Sequence, residues 1–255
     1  MAFDVSVIKG KTVFDIVHAR LGECVRIVKE AYLSHGDGRT VNPDSYFLRF
    51  PDNPGARIIA LPAFLGRESN VAGIKWIGSF PENITQGFPR ASAVLVLNDA
   101  TTGYPFAILE ASVISAARTA ASAALGAEWL NHGSKRTRTL GIVGTGLIAR
   151  YVYRFLIDTG WDIEHIRLFD ATPGQADAFR ASAVRADAHV STAAAPDLPS
   201  LLRESSMVVL TTTAGTPHIL DPGLLAHKPV VLHLSLRDLS PAILLGAYNI
   251  VDDVE

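Results

Sequence analysis

The string Gly144-Thr145-Gly146-Leu147-Ile148-Ala149 follows an apolar run (Leu140, Ile142, Val143) and precedes a helical pattern (Ala149, Val152, Phe155, Leu156). Glycines at this spacing let a strand turn tightly into a helix. They also bring backbone N–H groups at the positive end of the helix dipole against a pyrophosphate. Ala149 allows the helix to pack closely on the strand. Thr145, Leu147 and Ile148 complete the turn, so they join Gly144 and Gly146 as cofactor-binding candidates. The next apolar run ends at Asp170, 24 residues after Gly146. A carboxylate there accepts hydrogen bonds from the ribose hydroxyls of NAD and repels the 2′-phosphate of NADP, and Ala171-Thr172 supplies no arginine to hold that phosphate. The expected cofactor is NAD. Thr211, Thr212 and Thr213 follow a further apolar run, where small hydroxylic residues suit the crevice of a nicotinamide; a helix-capping turn is the other reading.

Other candidates are charged residues in apolar surroundings. Lys75 lies in GIKWIG, either as an edge charge reaching solvent or as a functional amine in a cleft. Arg118 sits among alanines in a helical stretch, where a solvated face is the simpler reading. Asp238, in LRDLSP, follows an apolar run and precedes a helix start, so capping and catalysis are both open. Arg49, Arg57 and Arg90 add cations to the first part of the chain. Several cations on one domain and a nicotinamide site on another would suit an amino-dicarboxylic acid. The eight histidines show neither H-x-H nor H-x-x-x-H spacing, so no metal site is expected. Neither a G-x-S-x-G elbow nor a P-loop string is present. The single cysteine, Cys24, falls on an amphipathic stretch and reads as packing.

The elements that must position these residues change character along the chain. Asp15–Ser34 has helical spacing and ends in His35-Gly36-Asp37-Gly38. Strand-like runs follow at 45–50 and 56–61, flanking a Pro51–Gly55 turn, then at 70–78, 91–98 and 104–109. These predict an α+β region with a mixed or antiparallel sheet. Residues 111–130 predict a long alanine-rich helix. Beyond it, strands at 139–144, 165–170, 206–212, 229–235 and 248–251 alternate with helices, the pattern of a parallel sheet covered on both faces. The expected fold class is therefore α/β, a Rossmann-type parallel-sheet domain plus an α+β substrate-binding and dimerisation domain. The expected division is 1–131 and 132–255.

Composition narrows the function classes. The 255 residues suit one or two domains at roughly 150 residues each. With 48% hydrophobic and 19% charged residues, a packed core is expected rather than disorder. The formal charge of −2, with no basic tail, gives no support to a nucleic-acid or anionic-membrane partner. The most apolar window, about residues 111–130, carries Arg118 and Glu128, which argues against a membrane span. MAFDVSVIKG lacks a charged region followed by a long apolar one, so no secretory signal is read and a cytoplasmic protein is expected.

Taken in order, GIKWIGSFPENITQGFPRASAVLVLND, TTGYPFAILEASVISAARTAASAA, the G-x-G-x-x-A turn and LSLRDLSP resemble the ornithine cyclodeaminase/mu-crystallin family over about residues 40–251. The surroundings of Lys75 and Asp238 are most similar to the branch that oxidises N-(2-amino-2-carboxyethyl)-L-glutamate. The resemblance implies an NAD-dependent oxidation to an imine, then hydrolysis to 2,3-diaminopropionate and 2-oxoglutarate, for siderophore or peptide-antibiotic synthesis. It implies that Lys75 and Arg118 grip a substrate carboxylate, with Arg49 or Arg57 as a further cation, and that Asp238 acts at the amine. Leu236 is placed with the cofactor-binding residues. It also implies a homodimer and a C-terminal segment, beyond the last residues here, that returns to the first domain. Two other activities stay open within the family, a cyclodeaminase and an amino-acid or imine reductase. A non-catalytic dinucleotide- or ligand-binding protein is the reading from another class.

Overall fold

Two kinds of strand in this sequence build two kinds of sheet. In the computed structural model, which describes residues 4–184, 190–235 and 237–252, the chain divides into two compact units, Met1–Arg118 and Thr119–Glu255.

The first unit begins with β1 (Ser6–Ile8), α1 (Gly10–Ala19) and α2 (Leu21–Gly36). The expected single helix over 15–34 is thus two. Arg20 leaves helical dihedrals (φ −139°, ψ 41°), and its carbonyl then accepts the Cys24 N–H to start α2. The sheet contains β2 (Thr40–Val41), β3 (Tyr46–Phe50), β4 (Asn53–Leu65), β5 (Val71–Ser79), β6 (Ala91–Asp99) and β7 (Pro105–Glu110). Its order is β1-β7-β6-β5-β4-β2, with β3 also on β4; only the β1–β7 pair is parallel. The mixed sheet is as expected, but β4 runs well beyond the 56–61 reading, straight through Pro62. β3 ends opposite Ala60 and β2 joins only at Phe64, so on that side the missing proline N–H interrupts no ladder.

α3 (Ser112–Leu130) begins in this unit and ends in the second. Glu110 starts it, accepting the backbone N–H groups of Ser112 (2.6 Å) and Val113 (3.2 Å), which would otherwise be orphaned at a helix N-terminus. Its buried positions are alanines, including Ala116, Ala117, Ala120, Ala121, Ala124 and Ala127.

The second unit alternates β8 (Arg136–Val143), α4 (Leu147–Asp158), β9 (Asp162–Phe169), α5 (Gln175–Ala183), β10 (Ser191–Ala194), α6 (Leu198–Glu204), β11 (Met207–Leu210) and β12 (Val230–His233), ending in the short α7 (Pro241–Leu245). All pairs are parallel, in the order β10-β9-β8-β11-β12. This is the 3-2-1-4-5 order of a Rossmann-type sheet, whose reversal point lies beside the first strand, β8. Continuous burial of β11 and most of β8 follows from coverage on both faces.

The strand expected at 248–251 does not form. Tyr248, Ile250 and Val251 are exposed, and the Asn249 side chain donates to the carbonyls of Leu244 (2.7 Å) and Ala247 (3.2 Å). The chain therefore curls back on the end of α7 instead of pairing with β12.

Gly141 tests how closely α6 packs on β8. A Cβ there would meet Leu201 Cδ2 at 2.7 Å and the hydroxyl of Ser205, itself buried and bonded to Leu201 O. Gly141→Ala should destabilise the protein by about 1–3 kcal/mol through overpacking, read from urea denaturation followed by circular dichroism.

Candidate functional site

In the second unit the glycine turn has the geometry its sequence implies. Gly144 ends β8 with φ +81°, and a Cβ there would lie 2.9 Å from the carbonyl carbon and oxygen of Thr211. A side chain is thus excluded by conformation and by space. Its N–H donates to Phe169 O (2.9 Å), tying the ends of β8 and β9 together. Gly146 is the N-cap of α4 and offers no side-chain cap; space is open within 4 Å of where its Cβ would stand. The first N–H groups of α4 are therefore presented from an unshielded helix N-terminus, and Leu147 beside them is exposed. Ala149 is fully buried, in keeping with close helix–strand packing.

Asp170 sits against this turn. Its Oδ2 accepts the backbone N–H (2.8 Å) and the hydroxyl (2.9 Å) of Thr145, and its Oδ1 accepts the Thr172 N–H (2.9 Å). Burial pushes the carboxyl up, but the bonds from Thr145 and Thr172 together outweigh it and hold Asp170 below the ordinary aspartate value. The carboxylate is ionised and oriented. Of the three threonines, Thr211 turns its hydroxyl to Gly144 O (2.6 Å), Thr212 turns its hydroxyl to Asp238, and Thr213 is exposed. These residues fit a dinucleotide: a side-chain-free turn, an open helix N-terminus and an ionised acid at the end of the second strand. Leu236 lies outside the described residues.

Asp238 is fully buried. Its carboxylate accepts the hydroxyls of Thr212 and Ser235, and His233 Nε2 lies 3.2 Å from Oδ2 and 3.2 Å from the Asp238 N–H. His218 Nε2 is 3.8 Å from Oδ1, and the Asp238 carbonyl accepts the N–H groups of His218 and Ile219. Asp238 does not cap α7: Ser240 is the N-cap, without a side-chain cap bond, and its hydroxyl donates to Leu220 O. The partners His233, Ser235 and His218 were not singled out from the sequence. His233 and Ser235 stand five and three residues before Asp238, a run of polar residues closing an apolar strand that could have signalled the network.

In the first unit Lys75 is not an edge charge. β5 is an interior strand, with Lys75 paired to Leu61 of β4 and Leu95 of β6. Its Nζ donates to Ser115 Oγ of α3 at 3.3 Å. Burial, and then the charge of Arg118 one turn further along α3, lower its pKa from 10.5 to about 8. Register brings Arg49 opposite Arg57 and Arg57 opposite Ser79, so both arginines share the sheet face of Lys75. Arg49 is exposed, its guanidinium 5.4 Å from the Phe47 ring centre. Arg57 is half-buried, and its Nε is enclosed without a hydrogen-bond partner among the described residues. A donor left in that condition is costly unless something else binds it.

The molecule thus contains a Rossmann-type unit with an intact dinucleotide turn and a mixed-sheet unit carrying cations on one face. Residues 11–225 match the ornithine cyclodeaminase/mu-crystallin family, and the chain belongs to that family. It is 29% identical over 233 residues to the N-((2S)-2-amino-2-carboxyethyl)-L-glutamate dehydrogenase of Staphylococcus aureus, covering 90% of this chain and 68% of that protein. It superposes on the crystal structure of CmnK with TM-score 0.86 at 25% identity, covering 98% of this chain and 74% of the other. An archaeal alanine dehydrogenase dimer with bound NAD aligns with TM-score 0.74 at 25% identity, over 85% of this chain and 63% of the other. The chain thus spans about two thirds of the length of these relatives. Among the described residues, no helix is long and apolar enough to cross a membrane.

The ionisation of Lys75 is directly measurable. The ammonium is present below about pH 8 and lost as pH rises through it, so anion binding to this lysine should fade near 8 rather than 10.5. Arg118→Gln should raise the midpoint, though not to 10.5, because burial is the larger cause. Side-chain ¹³C NMR of labelled lysine reads both values.

Proposed function

We propose that the protein is an NAD-dependent amine oxidoreductase acting on an amino acid with several carboxylates, with N-(2-amino-2-carboxyethyl)-L-glutamate as the substrate. The observation that carries this reading is the ionised, anchored Asp170 beside the side-chain-free turn at Gly144 and Gly146. An acid held charged in that position favours a free ribose over a 2′-phosphate. The cofactor supplies a hydride acceptor when bound; this chain supplies charge, orientation and proton handling. The pyrophosphate is assigned to the N–H groups opening α4, with Leu147 and Ile148 as the first residues.

The cations of the first unit support the substrate class. Arg57 lies opposite Ser79, four residues along β5 from Lys75, which is about 13 Å of strand at ~3.3 Å per residue. A spread of that size suits a substrate with separated carboxylates better than one with a single acid group. Lys75, assisted by Arg118, holds one carboxylate, and the enclosed Nε of Arg57 makes it the stronger candidate than Arg49 for another. Asp238 is assigned the amine proton and the water that hydrolyses the imine to 2,3-diaminopropionate and 2-oxoglutarate, and its buried carboxylate acts there through the partly exposed His233 that borders it. The similarity to the Staphylococcus aureus dehydrogenase over most of this chain favours that substrate among those of the family.

A homodimer is part of the same reading. Tyr46, Ala60, Trp76 and Val94 form one row across the opposite face of the mixed sheet, and Tyr46, Trp76 and Val94 are exposed. An apolar sheet face of this kind is suited to burial against its own copy.

The test is NADH formation with N-(2-amino-2-carboxyethyl)-L-glutamate, with the products identified by mass spectrometry. Lys75→Ala should lower turnover at least about 100-fold while leaving NAD affinity unchanged. No NADH and no product from protein shown to bind NAD would reject the substrate, and a fully active Lys75→Ala protein would reject the role of the lysine.

A further inference from the structure

The hydrogen bonds of Thr145 assign it a different task from the other residues of the turn. Its exposure is 1%, so it presents no surface to a cofactor. Its N–H and its hydroxyl both donate to one oxygen, Asp170 Oδ2. A carboxylate has about four acceptor positions, two on each oxygen. Thr145 fills both on Oδ2, and the Thr172 N–H takes one on Oδ1. The Thr172 hydroxyl also bonds the carboxylate, so Thr145 and Thr172 hold Asp170 with backbone and side chain alike.

We propose that Thr145 is a positioning residue that sets the cofactor preference of this protein from behind Asp170. Its N–H and hydroxyl fix the carboxylate from one side, on Oδ2. Discrimination therefore comes mainly from a negative charge held immobile where a 2′-phosphate would stand. The loop N–H of Thr145 is engaged in the same contact, so it is withdrawn from the pyrophosphate, which is left to the first turn of α4. This inference rests on the dinucleotide reading above and adds a determinant that touches neither nucleotide nor substrate.

The hydroxyl can be removed without changing the outline of the side chain. Thr145→Val is nearly isosteric; Thr145→Ser keeps the hydroxyl and loses the methyl. Should valine disturb the fold, Thr145→Ala removes the same group and only reduces volume, and a thermal melt checks each variant. The readout is the dissociation constant of NAD⁺ and of NADP⁺ by calorimetric titration, with no turnover required. Thr145→Val or Thr145→Ala should reduce the NAD⁺ preference about tenfold, mostly through weaker NAD⁺ binding, and Thr145→Ser should restore it. An unchanged preference, equal weakening of both cofactors, or failure of serine to restore it would overturn the proposal. If the unmodified protein bound neither dinucleotide, the reading of the turn itself would be rejected, a result separate from any effect of Thr145.

Discussion

The close approach of β8 and β11 at Gly144 is the constraint on which the second unit depends. The backbone there takes a positive φ and passes so near Thr211 that no side chain fits between them. From this one contact follow the exit of the chain into α4, the bond from Thr211 to the Gly144 carbonyl, and the position of Thr145 against Asp170. A larger residue would move the turn, the helix opening and the acid together, since their hydrogen bonds form one connected set.

Polar groups in the two units meet burial in opposite ways. Asp238 is taken fully out of water and surrounded by hydroxyls, imidazole nitrogen and backbone, the condition under which a buried carboxylate is tolerable. Lys75 and Arg57 are only half-buried and lack such compensation. Lys75 has one long bond to Ser115 and a repelling arginine, and Arg57 has an enclosed donor without an acceptor among the described residues. Asp238 is satisfied by its own surroundings; Lys75 and Arg57 are cations suited to an anion.

The parallel sheet and the glycine turn were legible because their signals are local: continuous apolar strands, helices between them, and glycines where the backbone requires them. Lys75 was not fully legible. Whether GIKWIG is an edge or an interior strand depends on β4 and β6 flanking it, and pairing of that kind leaves no mark within the strand. The run YNIV has the apolar content of a strand but no neighbour, and Asn249 instead bonds the end of α7. The length of β4 was hidden by Pro62, whose usual reading as a stop fails where partner strands change over. Arg49 and Arg57 could not be separated by spacing, because they are cross-strand neighbours; only the burial of one guanidinium nitrogen distinguishes them.

The alanine surface of α3 has an entropic and mechanical consequence. Alanine has no rotamer to freeze, so ordering the buried face of this helix costs backbone entropy alone. The same simplicity means that the face has no alternative side-chain arrangement. A neighbouring element displaced against Ala116, Ala120 or Ala124 finds no methylene that can swing aside to absorb the movement. The buried face of α3 is thus a fixed surface, and whatever packs on it must fit through its own rotamers.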